Sequence, residues 1–462
     1  MSNIFTPKKV FFSLAQITLS LFIMPQAFAA GFALQEQSGS GLGNAYAGGA
    51  AVAEDAAVMW FNPAAMTRLQ GTHLAIAGYA INNNRSWDDK GSTKATGQSL
   101  GGSTDISPTA YVPNLYLTTQ INDQAFVGFG LNIPFGLKTD YANDWVGRYQ
   151  GVGADIKTKN LSAAFAYKAS PSLSLSAGLD WQMLDATLTQ MSNYAVIAAG
   201  VAQSNPAAIP GAIASLGGNT ESLTKVNGSD SSWGYNLGAH YQLSKQTDIG
   251  FHYRSAIRFH LTGTVSTQPP TSSGNALSPF INGQIAQKAA SSGITADITT
   301  PAIANLSFFH RLNDRIDVMA DAQWTQWSTV PKLEFVRTNG DVLSSTTYKW
   351  RDAYRLSIGA NYKLTDTLKL KTGLAYDQSP IPEQYRTVRL PDNDRYWLSA
   401  GLQYAINPKT KLDIGYTYVM VKNADLNNRR EDNDSAGQIS GTLNGTFHQH
   451  VHILGIQLSY QF

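Results

Sequence analysis

The chain has 462 residues, 43% of them hydrophobic and only 14% charged, with a formal net charge of +2. This low, balanced charge contains no basic block, which excludes the electrostatic footprint of a nucleic-acid binder. Zero Cys removes disulfides, thiolate metal sites and cysteine nucleophiles, while 40 Gly, 21 Tyr, 19 Phe and 9 Trp favour strands and aromatic girdles over helices.

Residues 1–29 read as a signal peptide. Lys8 and Lys9 precede an apolar run from Val10 to Met24, and Ala27-Phe28-Ala29 supplies the small-residue cleavage pattern, so the mature chain is expected to start at Ala30. The run is too short for a membrane-spanning helix and is interrupted by Gln16, Thr18 and Ser20. No later window holds about eighteen consecutive apolar residues, and the mean hydropathy is -0.19. A barrel remains open, since a barrel strand needs only about ten alternating residues.

Residues 30–71 come next. Gly31–Met66 is dense in Gly and Ala, carries almost no Lys or Arg, and closes on Asn62-Pro63-Ala64. We read it as a compact hatch. Its aromatic and apolar side chains, Phe32, Leu34, Met59, Trp60 and Phe61, are candidates to line a ligand pocket or to form the hatch's own core.

Beyond Gly71 the period is two. In one stretch Trp233, Tyr235, Leu237, Ala239, Tyr241 and Leu243 alternate with Gly234, Asn236, Gly238, His240 and Gln242, and similar stretches follow from Tyr354, Tyr396 and Leu454. Strands are expected over 72–83, 106–120, 124–136, 151–169, 172–192, 230–244, 246–264, 296–312, 315–330, 349–364, 366–378, 392–407, 409–423 and 447–462. Turn-like dipeptides such as Asn122-Asp123, Ser170-Pro171 and Asn313-Asp314 join them in alternation with long loops, of which 193–229 and 265–295 are the longest. Such segregation of short and long connections predicts an all-β membrane protein: a 14-stranded antiparallel outer-membrane β-barrel over 72–462, with external loops and both termini on the short-turn side. In lipid every backbone group must be paired within the protein, so the sheet must close.

The apolar faces then meet lipid. Asp317, Asp321, His240, His252, Arg254, Arg355, Lys369, Lys371, Lys411 and Asp413 fall on the opposite face and are expected to line the lumen. Fourteen strands enclose more space than small side chains fill, which places the hatch inside.

Within the third strand, Pro134-Phe135-Gly136 combines a missing donor with a residue that weakens strand interiors, so pairing should fail there, unless Pro134 simply ends the strand at its loop. Two loops carry apolar stripes at helical spacing: Tyr194, Val196, Ile197, Val201, Ile213 and Leu216, then Leu277, Phe280, Ile281 and Ile285. Such stripes form a groove or pack on each other. His448, His450 and His452 share one strand face; a polar rim explains them better than a metal site, and no metal or cofactor is assigned. Two rival readings are a lipid hydrolase built around His240 or His252, for which no nucleophile motif exists, and a water-filled porin, which a hatch would obstruct.

Motifs through the mature chain sharpen the reading. They are Gly41-Leu42-Gly43 with Ala45-Tyr46, Asn62-Pro63-Ala64, Pro108 with Val112-Pro113-Asn114, Asp352-Ala353-Tyr354-Arg355, Asp377 with Ser379-Pro380 and Pro382, and Pro391-Asp392 through Asp394-Arg395 to Trp397-Leu398-Ser399-Ala400-Gly401. In this order they resemble the outer-membrane long-chain fatty acid transporter family of Gram-negative bacteria, which includes aromatic hydrocarbon transporters. The resemblance implies no enzyme but passive uptake of long-chain fatty acids or alkyl-aromatics. Loop apolar residues (Val196, Ile197, Val201, Ile213, Leu216, Phe280, Ile281, Ile285) would form a first low-affinity groove. A lumenal pocket follows, and then lateral release at a kink whose glycine is Gly136. The gate would comprise Asn62, Pro63, Ala64, Pro134, Phe135 and Gly136, with the movable hatch ending near Asn62-Pro63-Ala64 beside the break in strand three. Family members that grip a carboxylate place a base near the end of the fifth strand; Gln190 stands there in this chain, and Lys332 and Arg337 are the expected substitutes. A monomer in contact with outer-membrane lipid and lipopolysaccharide, inserted by the barrel assembly machinery, completes the expectation.

Overall fold

The computed structural model describes residues 31–96, 105–429 and 439–462; the expected signal peptide and its cleavage site lie outside the described residues. Fourteen antiparallel crossings form one sheet. They are β1 Thr72–Asp89, β2 Thr109–Gln120, β3 in two pieces (Ala125–Asn132 and Gly136–Asp140), β4 Gly153–Lys168, β5 Leu173–Asn193, β6 Glu221–Gln242 and β7 (Thr247–Arg254 and Ile257–Thr267). The second half comprises β8 (Ser292–Thr300 and Ile303–Arg311), β9 (Ile316–Thr325 and Lys332–Arg337), β10 (Val342–Thr347 and Ala353–Lys363), β11 Leu368–Asp377, β12 Arg395–Asn407, β13 Thr410–Arg429 and β14 Thr442–Gln461. β1 pairs with β14 from His73 opposite Gln461 to Asp89 opposite Gly445, which closes the sheet and leaves no edge between first and last strands.

The alternation explains the wall. Trp233, Tyr235, Leu237, Leu356, Ile358, Leu398, Ile456 and Leu458 all project outward, Trp233 with 66% of its surface exposed, whereas His240, His252, Arg254, Asp321, Arg355, Lys371 and Asp413 are buried inside. Among the described residues no helix is long and apolar enough to cross a membrane. Short turns are tied by their own side chains: Asn122 accepts from the amides of Gln124 and Ala125 (both 2.9 Å), and Asn313 does the same for Arg315 and Ile316 (2.9 and 3.0 Å).

Several strands run further than periodicity predicts. β1 continues to Asp89, β6 starts at Glu221 instead of 230, and β13 reaches Arg429. These extensions are polar, so they carry no apolar alternation; cross-strand pairing sustains them, as in Asn193 opposite Glu221 and Asp425 opposite Thr446. The two long loops shrink accordingly to 194–220 and 268–291, and hold helices α3 (Ala195–Val201), α4 (Ile209–Ala214) and α5 (Ser278–Ala289).

Residues 31–69 are buried or half-buried against the inward-facing side of the sheet. They form two short turns of helix, α1 (Gly39–Leu42) and α2 (Val58–Phe61), followed by a 3-10 turn over Pro63–Arg68. The hatch backbone presses against glycines of the inner wall: a Cβ added to Gly250 would sit 1.9 Å from the Ala50 carbonyl oxygen, and one on Gly373 would sit 2.2 Å from the Asn44 carbonyl carbon. Hatch donors complete the contact: Asn44 Nδ2 donates to the wall carbonyls of Ala360 and Thr372 (3.0 and 3.1 Å) and Ala50 N to the wall hydroxyl of Ser307 (3.0 Å). Gly373→Val is compatible with a strand but not with the seated hatch. The expected outcome is a folded barrel with raised single-channel conductance in planar bilayers; conductance equal to the parent would show that the hatch tolerates the added volume.

Candidate functional site: a broken strand and the segment that covers it

Pro134 has no N–H to give a neighbour, and the wall opens around it. The first piece of β3 pairs with β2, from Leu115 opposite Leu131 to Gln120 opposite Phe126, and with β4. After the break, Gly136–Asp140 pairs with β4 alone, so Thr109–Asn114 of β2 keep their β1 partners without a β3 partner among the described residues. Pro113 lies in that half, an edge position where a missing donor is tolerated. Because a strand resumes at Gly136, Pro134 interrupts β3 instead of ending it.

The start of the described chain fills the break from inside. Leu34 N donates to the Pro134 carbonyl and Gly136 N to the Phe32 carbonyl, each at 2.8 Å, with Ala33 bridging Phe135. Gln37 Nε2 reaches the Ile133 carbonyl (3.0 Å), Asn132 Nδ2 donates to Gln37 Oε1 (2.6 Å), and Asn114 Nδ2 holds the Glu36 carbonyl (2.8 Å). Residues 32–37 thus act as a strap. Its outer end is anchored by the Asp392 carboxylate, which accepts from Gly31 N (3.1 Å), Ser379 Oγ (2.7 Å) and Arg395 Nε (3.0 Å).

The strap also carries a ring into an apolar cluster. Phe32 sits 4.8 Å from Trp327, 5.7 Å from Phe135 and 6.0 Å from Trp350, centroid to centroid. Leu137, Ile156, Leu184, Phe259, Ile381 and Leu390 surround them. At the margin of this cluster Arg389 Nη2 donates to Gln190 Oε1 (3.0 Å). A base does stand at the end of the fifth strand; it comes from the β11–β12 loop and is held by Gln190.

The remaining candidates are distributed differently from expectation. Leu34 joins a second cluster with Tyr46, Tyr79 and Trp397. Met59 and Trp60 pack with Met66, Tyr116 and Phe126 where the hatch meets the wall, Trp60 lying 3.7 Å beneath the Arg254 guanidinium, and Phe61 stacks on Tyr46 at 5.9 Å. These three are hatch core, apart from the Phe32 cluster. Lys332 is corrected as a carboxylate clamp: its neighbour Leu333 takes the inward position, and Lys332 pairs outside with Glu334 at 3.0 Å. Arg337 is corrected too, since its guanidinium donates to the Lys288 carbonyl (3.1 Å) and Ser292 Oγ (2.9 Å), capping the end of α5. Asn62-Pro63-Ala64 is an anchor at a different wall: Asn62 Nδ2 donates to the carbonyls of Ala50 (2.7 Å) and Ala239 (2.9 Å), and its Oδ1 caps the 3-10 turn through Ala64 N (3.2 Å). The hatch residues bonded to the β3 break are 32–37, because only an extended segment can match strand backbone.

In the outer loops, Leu216, Ile281 and Ile285 are buried against Tyr194, Ala198 and Ala212, with Ile197, Val201 and Ile213 partly buried beside them. The helical stripes therefore pack largely on one another. Val196 stays half-buried and Phe280 is 67% exposed. His240 Nε2 meets the Ala51 carbonyl at 3.0 Å. His448 and His452 engage Asn423 (3.0 Å) and Tyr416 (2.7 Å).

Sequence reasoning missed Trp327, Trp350, Arg389 and the anchoring role of Asp392. Asp392 and Arg395 stood within a motif, but nothing local paired them with residue 31. Trp327 and Trp350 lie in interruptions of β9 and β10, outside any alternation.

Comparison with known proteins agrees with this architecture. A family profile described as outer membrane protein transport protein (OMPP1/FadL/TodX) matches residues 20–462. The long-chain fatty acid transport protein of Escherichia coli (strain K12) is 29% identical over 439 residues, covering 93% of this chain and 97% of that one. Among solved structures, a Pseudomonas aeruginosa FadL homologue superposes with a TM-score of 0.81 at 24% identity over 94% of this chain and 100% of that chain. The Ralstonia pickettii toluene transporter TbuX gives 0.61 at 18% identity over 92% and 98%; at these identities both show the fold alone. A closed fourteen-stranded barrel and a profile spanning nearly the whole length lead to one conclusion: the chain belongs to the outer membrane protein transport protein family and is a β-barrel of the bacterial outer membrane.

Proposed function

We propose that this protein passively admits long-chain fatty acids across the outer membrane and releases them sideways through the β3 break. The observation that carries the proposal is the double duty of the strap: Phe32 fills the aromatic cluster while its neighbours' backbone groups close the break. A long apolar chain binding among Trp327, Trp350 and Phe135 competes with Phe32 for that space, and a displaced Phe32 takes with it the bonds to Pro134 and Gly136. Binding and opening are then one equilibrium, driven by the ligand's preference for the strap-out state. Arg389 supplies a charge-assisted contact for a carboxylate at the cluster's margin, and exposed Phe280 and half-buried Val196 offer first contact outside. The hatch is residues 30–71, and the step needs no energy source.

A strain lacking its own fatty acid uptake protein should grow on oleate when this protein is supplied, and not on toluene. Growth on toluene alone would favour the second reading, uptake of aromatic hydrocarbons, for which membership of a family that includes TodX, a toluene transporter, is the observation. Arg389→Gln should lower oleate uptake about tenfold, the worth of one hydrogen bond to a charged group, while leaving uptake of an uncharged alkane unchanged. Transport assays with radiolabelled ligands check both arms.

A further inference from the structure

Directly behind the β3 break, the Glu36 side chain is fully buried, and neither carboxylate oxygen has a hydrogen-bond partner on another residue. Its backbone carbonyl is held by Asn114, on the half of β2 that has no β3 neighbour, so the side chain is fixed beside the gap. Among its neighbours the same condition recurs. The Tyr116 hydroxyl and Oδ1 of Asn114 are buried without partners, and the Tyr46 and Tyr79 hydroxyls face each other. Native interiors leave few such groups unmade because each is costly, and here they gather on the hatch, β1 and β2 next to one opening.

The two guanidiniums facing Glu36 each hold another partner, with Nε of Arg355 left unbonded. Arg395 of β12 bonds Asp392 (3.0 Å), and Arg355 of β10 donates to the Ala45 carbonyl (2.8 Å) and covers the Trp397 ring at 4.9 Å. Asp377 of β11 adds a like charge, and the two tyrosines Tyr46 and Tyr79 complete the surroundings. Burial pushes the Glu36 carboxyl up to about 7, against the pull of its own backbone N–H and of the Arg395 and Arg355 guanidiniums. Near neutral pH it therefore offers a large fraction of neutral carboxyl, a donor as well as an acceptor.

We infer that Glu36, with Tyr46, Tyr79 and Asn114, forms a head-group site at the lateral gap that receives the carboxyl end of a departing long-chain acid and selects for it. The site rests on the reading that ligands leave through the β3 break. As the hydrocarbon chain enters the gap, its carboxylate would otherwise be stripped of water with nothing to bond. The Glu36 O–H donates to one ligand oxygen and a tyrosine O–H to the other; no covalent bond changes. Ionised Glu36 instead meets the carboxylate with like charge, so passage slows as pH rises through neutrality.

The test uses the full-length protein in cells without their own uptake protein, with radiolabelled hexadecanoate and hexadecane as probes. Glu36→Leu should reduce hexadecanoate uptake about tenfold relative to hexadecane uptake. Glu36→Gln, nearly isosteric and able to donate at any pH, should retain hexadecanoate uptake and lose the decline that the parent protein shows between about pH 6 and pH 8. Equal loss of both probes in Glu36→Leu would reduce the residue to a structural role and overturn the site, as would unchanged hexadecanoate uptake, or a parent-like pH decline in Glu36→Gln. Failure of the route itself shows separately: hexadecanoate uptake that survives repair of the β3 break removes lateral release, whereas loss of both probes on repair with no effect of Glu36→Leu removes only the head-group site.

Discussion

Replacing Pro134-Phe135-Gly136 with Val-Thr-Val is expected to bring uptake down to the level of cells lacking the protein while leaving a folded barrel. The valine put in place of Pro134 restores the missing backbone donor, and β-branched residues favour the extended conformation that Gly136 weakens. β3 then has the means to run unbroken from Ala125 to Asp140, and its continuation can pair with Thr109–Asn114 of β2, which have no β3 partner in the present wall. The strap loses its place in the sheet, since the residues replacing Pro134 and Gly136 would exchange bonds with β2 in place of Phe32 and Leu34. Barrel stability should rise, because the ladder gains pairs. Heat-modifiable gel mobility reports the fold and radiolabelled oleate reports uptake; normal uptake by a properly folded variant would refute lateral release.

The second large effect concerns the seating of the hatch. Lys371 Nζ lies 3.0 Å from each of Asp413 Oδ1, Glu54 Oε2 and the Ser40 carbonyl, and Lys369 pairs with Glu54 at 2.7 Å. Two of those partners belong to the hatch and one to β13, so one ammonium joins hatch to wall. Lys371→Met leaves Asp413 as a buried, uncompensated charge, a loss of about 3–5 kcal/mol for breaking such a pair. The hatch should bear most of it, because Glu54 and Ser40 can move outward while Asp413 is fixed in a strand. Limited proteolysis within residues 31–71 and raised channel conductance are the readouts, and a hatch as resistant as the parent's would show that Lys369 suffices.

The pH dependence of that latch follows from Glu54. Burial alone would raise its pKa, but the Lys369 and Lys371 ammoniums hold it well below the ordinary carboxylate range. A depressed folded-state pKa contributes stability that is complete above the unfolded value, near 4.5, and is lost as pH falls through the folded one. The latch should therefore be constant across neutral pH and release only in strong acid. Conductance that climbs already near neutrality would contradict this assignment, and Glu54→Gln should abolish the acid release.

How much of the site was legible differs residue by residue. The Pro134 break was readable because a missing N–H is a property of the residue itself, whatever surrounds it. The acidic and basic lumen residues, such as Asp321, Arg355 and Lys371, were readable because a strand's two faces alternate strictly. Lys332 and Arg337 misled because position after the ninth strand says nothing of direction, and β9 is interrupted at 326–331 before it resumes. Met59, Trp60 and Phe61 stood open between pocket lining and hatch core, and they pack as core because a compact segment buries its aromatics against whatever wall it meets.

The barrel follows from the order of amino acids alone. Alternation, turn chemistry and the segregation of loop lengths are local, and once fourteen strands must satisfy their backbones in lipid, closure has no alternative. Which part of the hatch meets the break in β3 emerges only once the chain is folded. That choice depends on contacts between residues a hundred to several hundred positions apart, Leu34 with Pro134 and Gly31 with Asp392, whose partners are fixed by where the strands lie around the barrel. No periodicity within residues 31–71 encodes that placement.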